Sequence, residues 1–141
     1  MGFFRKTVSD QDWLLGALPL YEAAVPIVGK VSEAFRTGYR KDLNAAVDKV
    51  LDELPSLADQ LARLPNPRSS AARFAKRDLR RSLNGYIWLA KEIRSLVELS
   101  ARVPDLYLPH LKAVEVIAGK AAQLMSEAND FFSRAGLKSG S

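Results

Sequence analysis

The stretch that decides the fold is Trp13–Phe35, WLLGALPLYEAAVPIVGKVSEAF. Its apolar residues recur at alternating spacings of three and four, which is typical of a helix with a buried seam. A second apolar row lies beside the first, and Glu22 is the one charge between Asp12 and Lys30. We therefore expect other helices to cover this helix from more than one direction. The seam consists of Leu14, Ala17, Tyr21, Ala24, Val28, Val31 and Phe35.

The same rhythm continues through three further segments, and we predict helices over about residues 9–36, 42–64, 70–101 and 105–135. Connections of a few residues between long helices make sequential neighbours antiparallel. The sequence therefore predicts an all-α fold, an up-down-up-down antiparallel four-helix bundle. It forms a single domain over residues 1–136, followed by a flexible tail over 137–141.

Local signals mark the helix ends. Ser9 is the expected N-cap of the first helix, and Gly38 its left-handed C-cap. Ser69 or Ser70 begins the third helix. Pro55 is expected to bend or briefly break the second helix, although the apolar period continues through it.

The composition fits one ordinary globular domain of 141 residues, with 48% hydrophobic and 26% charged residues. The chain has no cysteine and one histidine, which excludes disulfides, thiolate metal sites and multi-histidine sites. We expect no metal, no cofactor and no enzymatic activity. The composition suits a reducing compartment, and the first residues do not form a secretory leader, so we expect a cytoplasmic protein.

The length of the first helix also fits a membrane span. Glu22 near its middle, two prolines and the heptad seam argue against that interpretation, because a carboxylate at the bilayer centre is costly. We expect a core helix and no transmembrane span.

Positive charge is concentrated in the third helix. Nine basic and three acidic residues give positions 68–102 a net charge of +6, while the whole chain carries +5. Helical spacing places Arg73, Arg77 and Arg80 on one row, with Lys76 and Arg81 to either side. This cluster is a candidate anion-binding surface for nucleic-acid phosphates, acidic lipid headgroups or an acidic partner.

The alternative is a solvated face, partly neutralised by acidic residues on the outer row of the second helix. That row contains Asp48, Asp52, Glu53 and Asp59.

Ile87 and Trp88 lie outside the main seam of the third helix, and Trp88 follows Arg81 by seven residues. An exposed apolar pair beside arginines would be a natural anchor for a partner. The alternative is that a wide bundle buries both, or that Trp88 covers one edge of the core.

His110 is a minor candidate for a phosphotransfer histidine, because phosphotransfer domains are helical bundles of similar size. Those domains place Lys and then Gly three and four residues after the histidine. Here Lys112 comes two residues after it, and Val114 occupies the glycine position. We expect an edge or core histidine.

These features predict a non-enzymatic interaction or scaffold module that works through helix-face contacts with a protein partner or a second copy. A homodimer is plausible because the first helix is so apolar. The alternative is polyanion binding, to nucleic acid or an acidic membrane surface, through the basic third helix. A small apolar ligand between the Ala-rich helices is a third possibility.

Overall fold

The computed structural model describes residues 7–102, 105 and 107–134, without the side chains of Ser100, Tyr107, Leu108 and His110. Four helices pack against one another, so the predicted all-α four-helix bundle is confirmed. The predicted tail over 137–141 lies outside the described residues. The helices are α1 (Asp10–Thr37), α2 (Arg40–Arg63), α3 (Ser70–Arg102) and α4 (Tyr107–Arg134).

Three helix ends have the predicted caps. The Ser9 hydroxyl accepts a hydrogen bond from the Asp12 N–H at 3.1 Å, and the Ser69 hydroxyl accepts one from Ala72 at 3.0 Å. Gly38 ends α1 with a φ of 70°, a left-handed conformation that strains residues with a Cβ. These caps satisfy backbone groups that a helix leaves without a partner at its ends.

Helix α2 begins at Arg40, two residues before the approximate start predicted near Asp42. Tyr39 occupies the N-cap position and makes no side-chain capping bond. The Asp42 carboxylate instead accepts a hydrogen bond from the Thr37 hydroxyl at 2.7 Å. Asp42 therefore lies in the first turn of α2 and also fixes the α1–α2 connection.

Pro55 lies inside α2, which is continuous through it, so of the two expected effects, a bend or a brief break, the break does not occur. Its side chain is exposed, as are those of Pro19 and Pro26 in α1. The carbonyl groups that lose a helical donor at these prolines can bond water on the solvent side, which keeps the helices continuous.

A two-residue parallel strand pair, which the sequence did not predict, joins the starts of α1 and α3. The strands are β1 (Thr7–Val8) and β2 (Asn66–Pro67). Beside them, the Asp10 carboxylate accepts a hydrogen bond from the Ser69 N–H at 3.1 Å. Hydrogen bonds from the Ser69 side chain and from its N–H lower the pKa of Asp10, because they favour the charged carboxylate.

The centre of the bundle is α3, which packs along both α2 and α4. Helix α1 packs along α2 but meets α4 mainly near one end, where the Trp13 ring stacks on Phe132 with centroids 6.0 Å apart. There the Tyr21 hydroxyl also donates to Asn129 Oδ1 at 2.7 Å. Other elements therefore cover α1 from more than one direction, as expected, while Leu15 on its outer side is 60% exposed.

By length and composition alone, α1 could cross a membrane. The bundle buries 33% of its most apolar 18-residue window. Core helices of soluble bundles have the same composition, so this property assigns no location by itself.

The interior between α1, α2 and α3 is tightly closed. A void there is too narrow for a water molecule, and Tyr86 forms part of its wall. This void offers no room for the small apolar ligand that the sequence left open. The Tyr86 hydroxyl is buried and has no hydrogen-bond partner among the described residues. Burial raises the pKa of Tyr86 to about 12.

Candidate anion-binding groove

The five basic residues predicted on the third helix all line one open groove of about 420 Å³. We call this feature the basic groove. None of its lining residues is acidic. They are Asn66, Arg73, Lys76, Arg77, Arg80, Arg81 and Asn84.

Helix geometry explains the alignment. Arg73, Arg77, Arg80 and Asn84 follow one another at spacings of four, three and four, which keeps them on one side of α3. All four are exposed, because the buried seam of α3 lies on the opposite side. Arg81 is also exposed and lies next to this row.

Two of the arginines are held in place by neighbours. Arg73 Nη1 donates to the carbonyl of Arg68 at 2.9 Å, and Arg73 Nη2 lies 3.4 Å from the Ser70 hydroxyl. The Arg77 guanidinium lies over the Phe74 ring, 4.6 Å from its centroid. These contacts already restrict the two side chains, so less conformational entropy is lost when an anion binds to them.

Lys76 was expected to contact an anion at the surface, but its side chain is buried. It is 7% exposed, and its Nζ donates to the Leu64 carbonyl at 2.8 Å and to Asn66 Oδ1 at 2.9 Å. A buried ammonium needs such acceptors, since burial without them is costly. Lys76 therefore supports the α2–α3 turn and adds positive charge to the groove from beneath.

The predicted neutralisation by the acidic row of α2 does not reach the arginines of the groove. Asp48 pairs with Arg94, further along α3. Within α2, Glu53 pairs with Lys49 at 2.7 Å, and Asp59 pairs with Arg63 at 2.8 Å.

Inside the groove itself, ion pairing is sparse. The Arg77 Nε lies 3.8 Å from Asp78, which is a long contact for an ion pair. In the described part of the chain, Arg80 and Arg81 have no ion-pair partner. Most of the positive charge in the groove is thus unpaired, and such a region attracts anions.

An acidic groove of about 270 Å³ lies between α3 and α4, on the other side of Phe74. Asp78, Glu127 and Asp130 are among its lining residues. These carboxylates would repel a polyanion, so they limit its path to the side of α3 that faces the α2–α3 turn.

Ile87 and Trp88 differ in exposure. Trp88 is 47% exposed, four residues after Asn84 and on the same side of α3 as Arg81. Ile87 is half-buried and packs against the core. Of the two partner-binding candidates, Trp88 therefore offers an accessible ring next to the basic groove, while most of the Ile87 surface is already used.

The remaining candidate is His110, whose backbone lies in α4 and whose side chain is outside the described residues. Among the residues that the structure describes, no group of three or more histidine and carboxylate side chains could hold a metal ion.

Sequence reasoning missed two residues of the groove, Asn66 and Asn84. Asn84 continues the row of Arg73, Arg77 and Arg80, so helical spacing could have identified it. Asn66 enters from the α2–α3 turn, and no local pattern signals its position.

No protein-family model matches the chain, and neither a curated protein nor a solved structure matches it. The functional conclusion therefore rests on the residues of the groove and their geometry.

Proposed function

We propose that this protein is a non-enzymatic binding module and that its basic groove binds the phosphate backbone of single-stranded nucleic acid. The observation that carries the proposal is the shared groove of five cationic side chains, none of them matched by a lining carboxylate. Neutralising phosphates with such side chains releases counterions from the nucleic acid, which favours binding.

The side chains suit phosphate oxygens. Guanidinium groups present planar sets of N–H donors that bind two oxygens at once, and four of the five cations are arginines. Asn66 uses its Oδ1 to accept from Lys76, which leaves its amide N–H groups as the part that can donate to a phosphate. Asn84 can donate at the other end of the groove.

Trp88 favours a single strand over a duplex. Unpaired bases stack on exposed aromatic rings, while a duplex keeps its bases inside. Because Trp88 lies one helical turn beyond Asn84, a strand whose phosphates occupy the groove can place a base on the ring.

An interaction or scaffold module that binds a protein partner is the second candidate. The observation that favours it is the 47% exposure of Trp88 beside Arg81, since Trp and Arg are enriched among residues that dominate protein interfaces. An acidic membrane surface is a further source of phosphates. We propose a cytoplasmic location whether the ligand is a nucleic acid or a protein partner. The absence of cysteine is compatible with that location.

The test is fluorescence anisotropy with a short labelled single-stranded DNA at low salt. We compare the wild type with Arg80→Gln/Arg81→Gln, and with the control Arg36→Gln/Lys41→Gln. The control removes the same charge near the α1–α2 connection, far from the groove. Loss of two of four arginine contacts should weaken binding about tenfold.

The control should bind like the wild type. Equal weakening of both variants would contradict the proposal, because net charge rather than the groove would then determine binding. A preference for duplex DNA, or for vesicles rich in anionic lipid over DNA, would also contradict it.

A further inference from the structure

We propose that the outer face of α1 binds a second copy of this chain, with the two α1 helices antiparallel. This inference does not depend on nucleic-acid binding. The face consists of exposed residues on one side of the helix: Asp12, Leu15, Pro19, Ala23, Pro26 and Lys30.

The middle of this face is mostly apolar. Leu15 is 60% exposed, and Pro19, Ala23 and Pro26 continue the face without a charge. Glu22 follows Leu15 by seven residues and lies along the Leu15 edge of this face, which is therefore not free of charge. Exposed apolar surfaces of this kind often mark interaction sites.

The two charges at the ends of the face identify the occupant. Asp12 and Lys30 are 18 residues apart, which is about five helical turns or about 27 Å, so they lie on one line along the helix. Their midpoint is Tyr21. A two-fold axis at that level places Asp12 opposite Lys30 of the second copy, and Lys30 opposite Asp12 of the second copy.

The two end charges are therefore complementary when the face is turned end for end, and these two attractions outnumber the one unfavourable approach, between the two Glu22 side chains near the two-fold axis. Both ion pairs form only in the antiparallel arrangement, because a parallel arrangement would bring like charges together. The apolar residues between the pairs then meet their counterparts in the second copy.

The same features argue against a membrane surface as the occupant. Helices that lie on membranes carry several basic residues beside their apolar face, whereas Lys30 is the one basic residue between Asp12 and Glu33. The basic groove lies on α3, which meets α1 only sparsely. Pairing through α1 therefore keeps the two basic grooves apart.

An interface of one helix face is small, so we expect weak, reversible association. Sedimentation velocity over a range of concentrations measures it directly. The wild type should move from monomer to dimer as its concentration rises.

Charge reversal tests the proposed arrangement. Asp12→Lys and Lys30→Asp should each weaken self-association about tenfold or more, because each places like charges in contact. An equimolar mixture of these two variants should dimerise again, since each mixed pair restores both attractions. The matched controls Lys112→Glu and Glu115→Lys, both on exposed positions of α4, should behave like the wild type.

Circular dichroism establishes that each variant is folded. If Asp12→Lys fails to fold, Leu15→Gln replaces it, because removal of this apolar contact should also weaken the dimer. A wild type that stays monomeric, reversal variants that dimerise like the wild type, or a mixture that stays monomeric would each overturn the proposal. Binding to neutral lipid vesicles that Leu15→Gln abolishes would overturn it in favour of a membrane surface.

Discussion

Lys76 Nζ donates a hydrogen bond of 2.8 Å to the backbone carbonyl of Leu64 and so connects α3 to the end of α2. The same ammonium bonds Asn66 Oδ1 at 2.9 Å. Lys76 therefore holds the turn that forms one wall of the basic groove. The groove thus depends on a buried cation that does not itself need to contact a ligand.

Substitution of Lys76 by Met should reduce the free energy of unfolding by about 1–3 kcal/mol, because two acceptors lose their buried donor. Guanidinium denaturation followed by circular dichroism measures the change. Lys91→Met, at an exposed position of the same helix, serves as the control and should change stability by less than about 0.5 kcal/mol. Equal stability of Lys76→Met and the wild type would contradict the assigned role.

Tyr86→Phe should leave the stability unchanged or raise it by up to about 3 kcal/mol, because the substitution removes a buried hydroxyl without a partner in the described residues. Thermal denaturation at neutral pH provides the measurement. A marked loss of stability would show that the hydroxyl has a partner.

The raised pKa of Tyr86 also predicts an alkaline loss of stability. Its ordinary pKa is 10.0, and burial raises it to about 12, so the unfolded chain releases this proton first as pH increases. The contribution of Tyr86 is complete below pH 10 and is lost as pH rises toward 12. Tyr86→Phe should lose less stability over this interval than the wild type. If the free energy of unfolding fell equally with pH in Tyr86→Phe and in the wild type, this assignment would be contradicted.

The hydrogen bonds from Ser69 to Asp10 predict a loss of stability at low pH, whereas Tyr86 predicts one at high pH. The pKa of Asp10 lies below its ordinary value of 3.8, chiefly because Ser69 donates hydrogen bonds to the carboxylate. Its contribution to stability is present above pH 3.8 and is lost as pH falls further. Asp10→Ala should therefore show a smaller loss of stability on acidification than the wild type. Asp59→Ala, which removes an exposed acid of α2, is the comparison.

The heptad pattern predicted the helices because helix formation with a buried seam depends on local spacing. Ser9 and Gly38 carry their capping preference in their own chemistry, whatever the rest of the chain does. The central position of α3 could not be predicted in this way. The apolar stretch from Trp13 indicated a covered helix, but which helix lies at the centre depends on how all four pack.

In the basic groove too, local spacing predicted some residues, while others depend on how the helices pack. Arg73, Arg77 and Arg80 were predicted on one row from helical spacing alone, and the structure places them along one groove. The burial of Lys76 follows from the α2–α3 turn folding over it, which is a contact between residues 12 positions apart. Asn66 enters the groove for the same reason, so spacing within α3 could not reveal it.

Trp88 provides an optical test of base stacking. Trp13 is 1% exposed and Trp88 is 47% exposed, so a bound single strand should quench mainly Trp88. The quenching should be largely absent in Trp88→Phe, while Trp88→Ala should weaken binding by about 1–3 kcal/mol. Quenching of equal size in Trp88→Phe would place the bases elsewhere.

The salt dependence of single-strand binding tests the central claim most directly. Each phosphate contact contributes about 0.7 to the slope of log K against log salt concentration, so contacts from Arg73, Arg77, Arg80 and Arg81 predict a slope of about −3. Arg80→Gln/Arg81→Gln should reduce its magnitude to about 1.5, while Arg36→Gln/Lys41→Gln should leave it unchanged. A slope near zero, or the same slope in all three proteins, would contradict the claim that the basic groove binds the phosphate backbone.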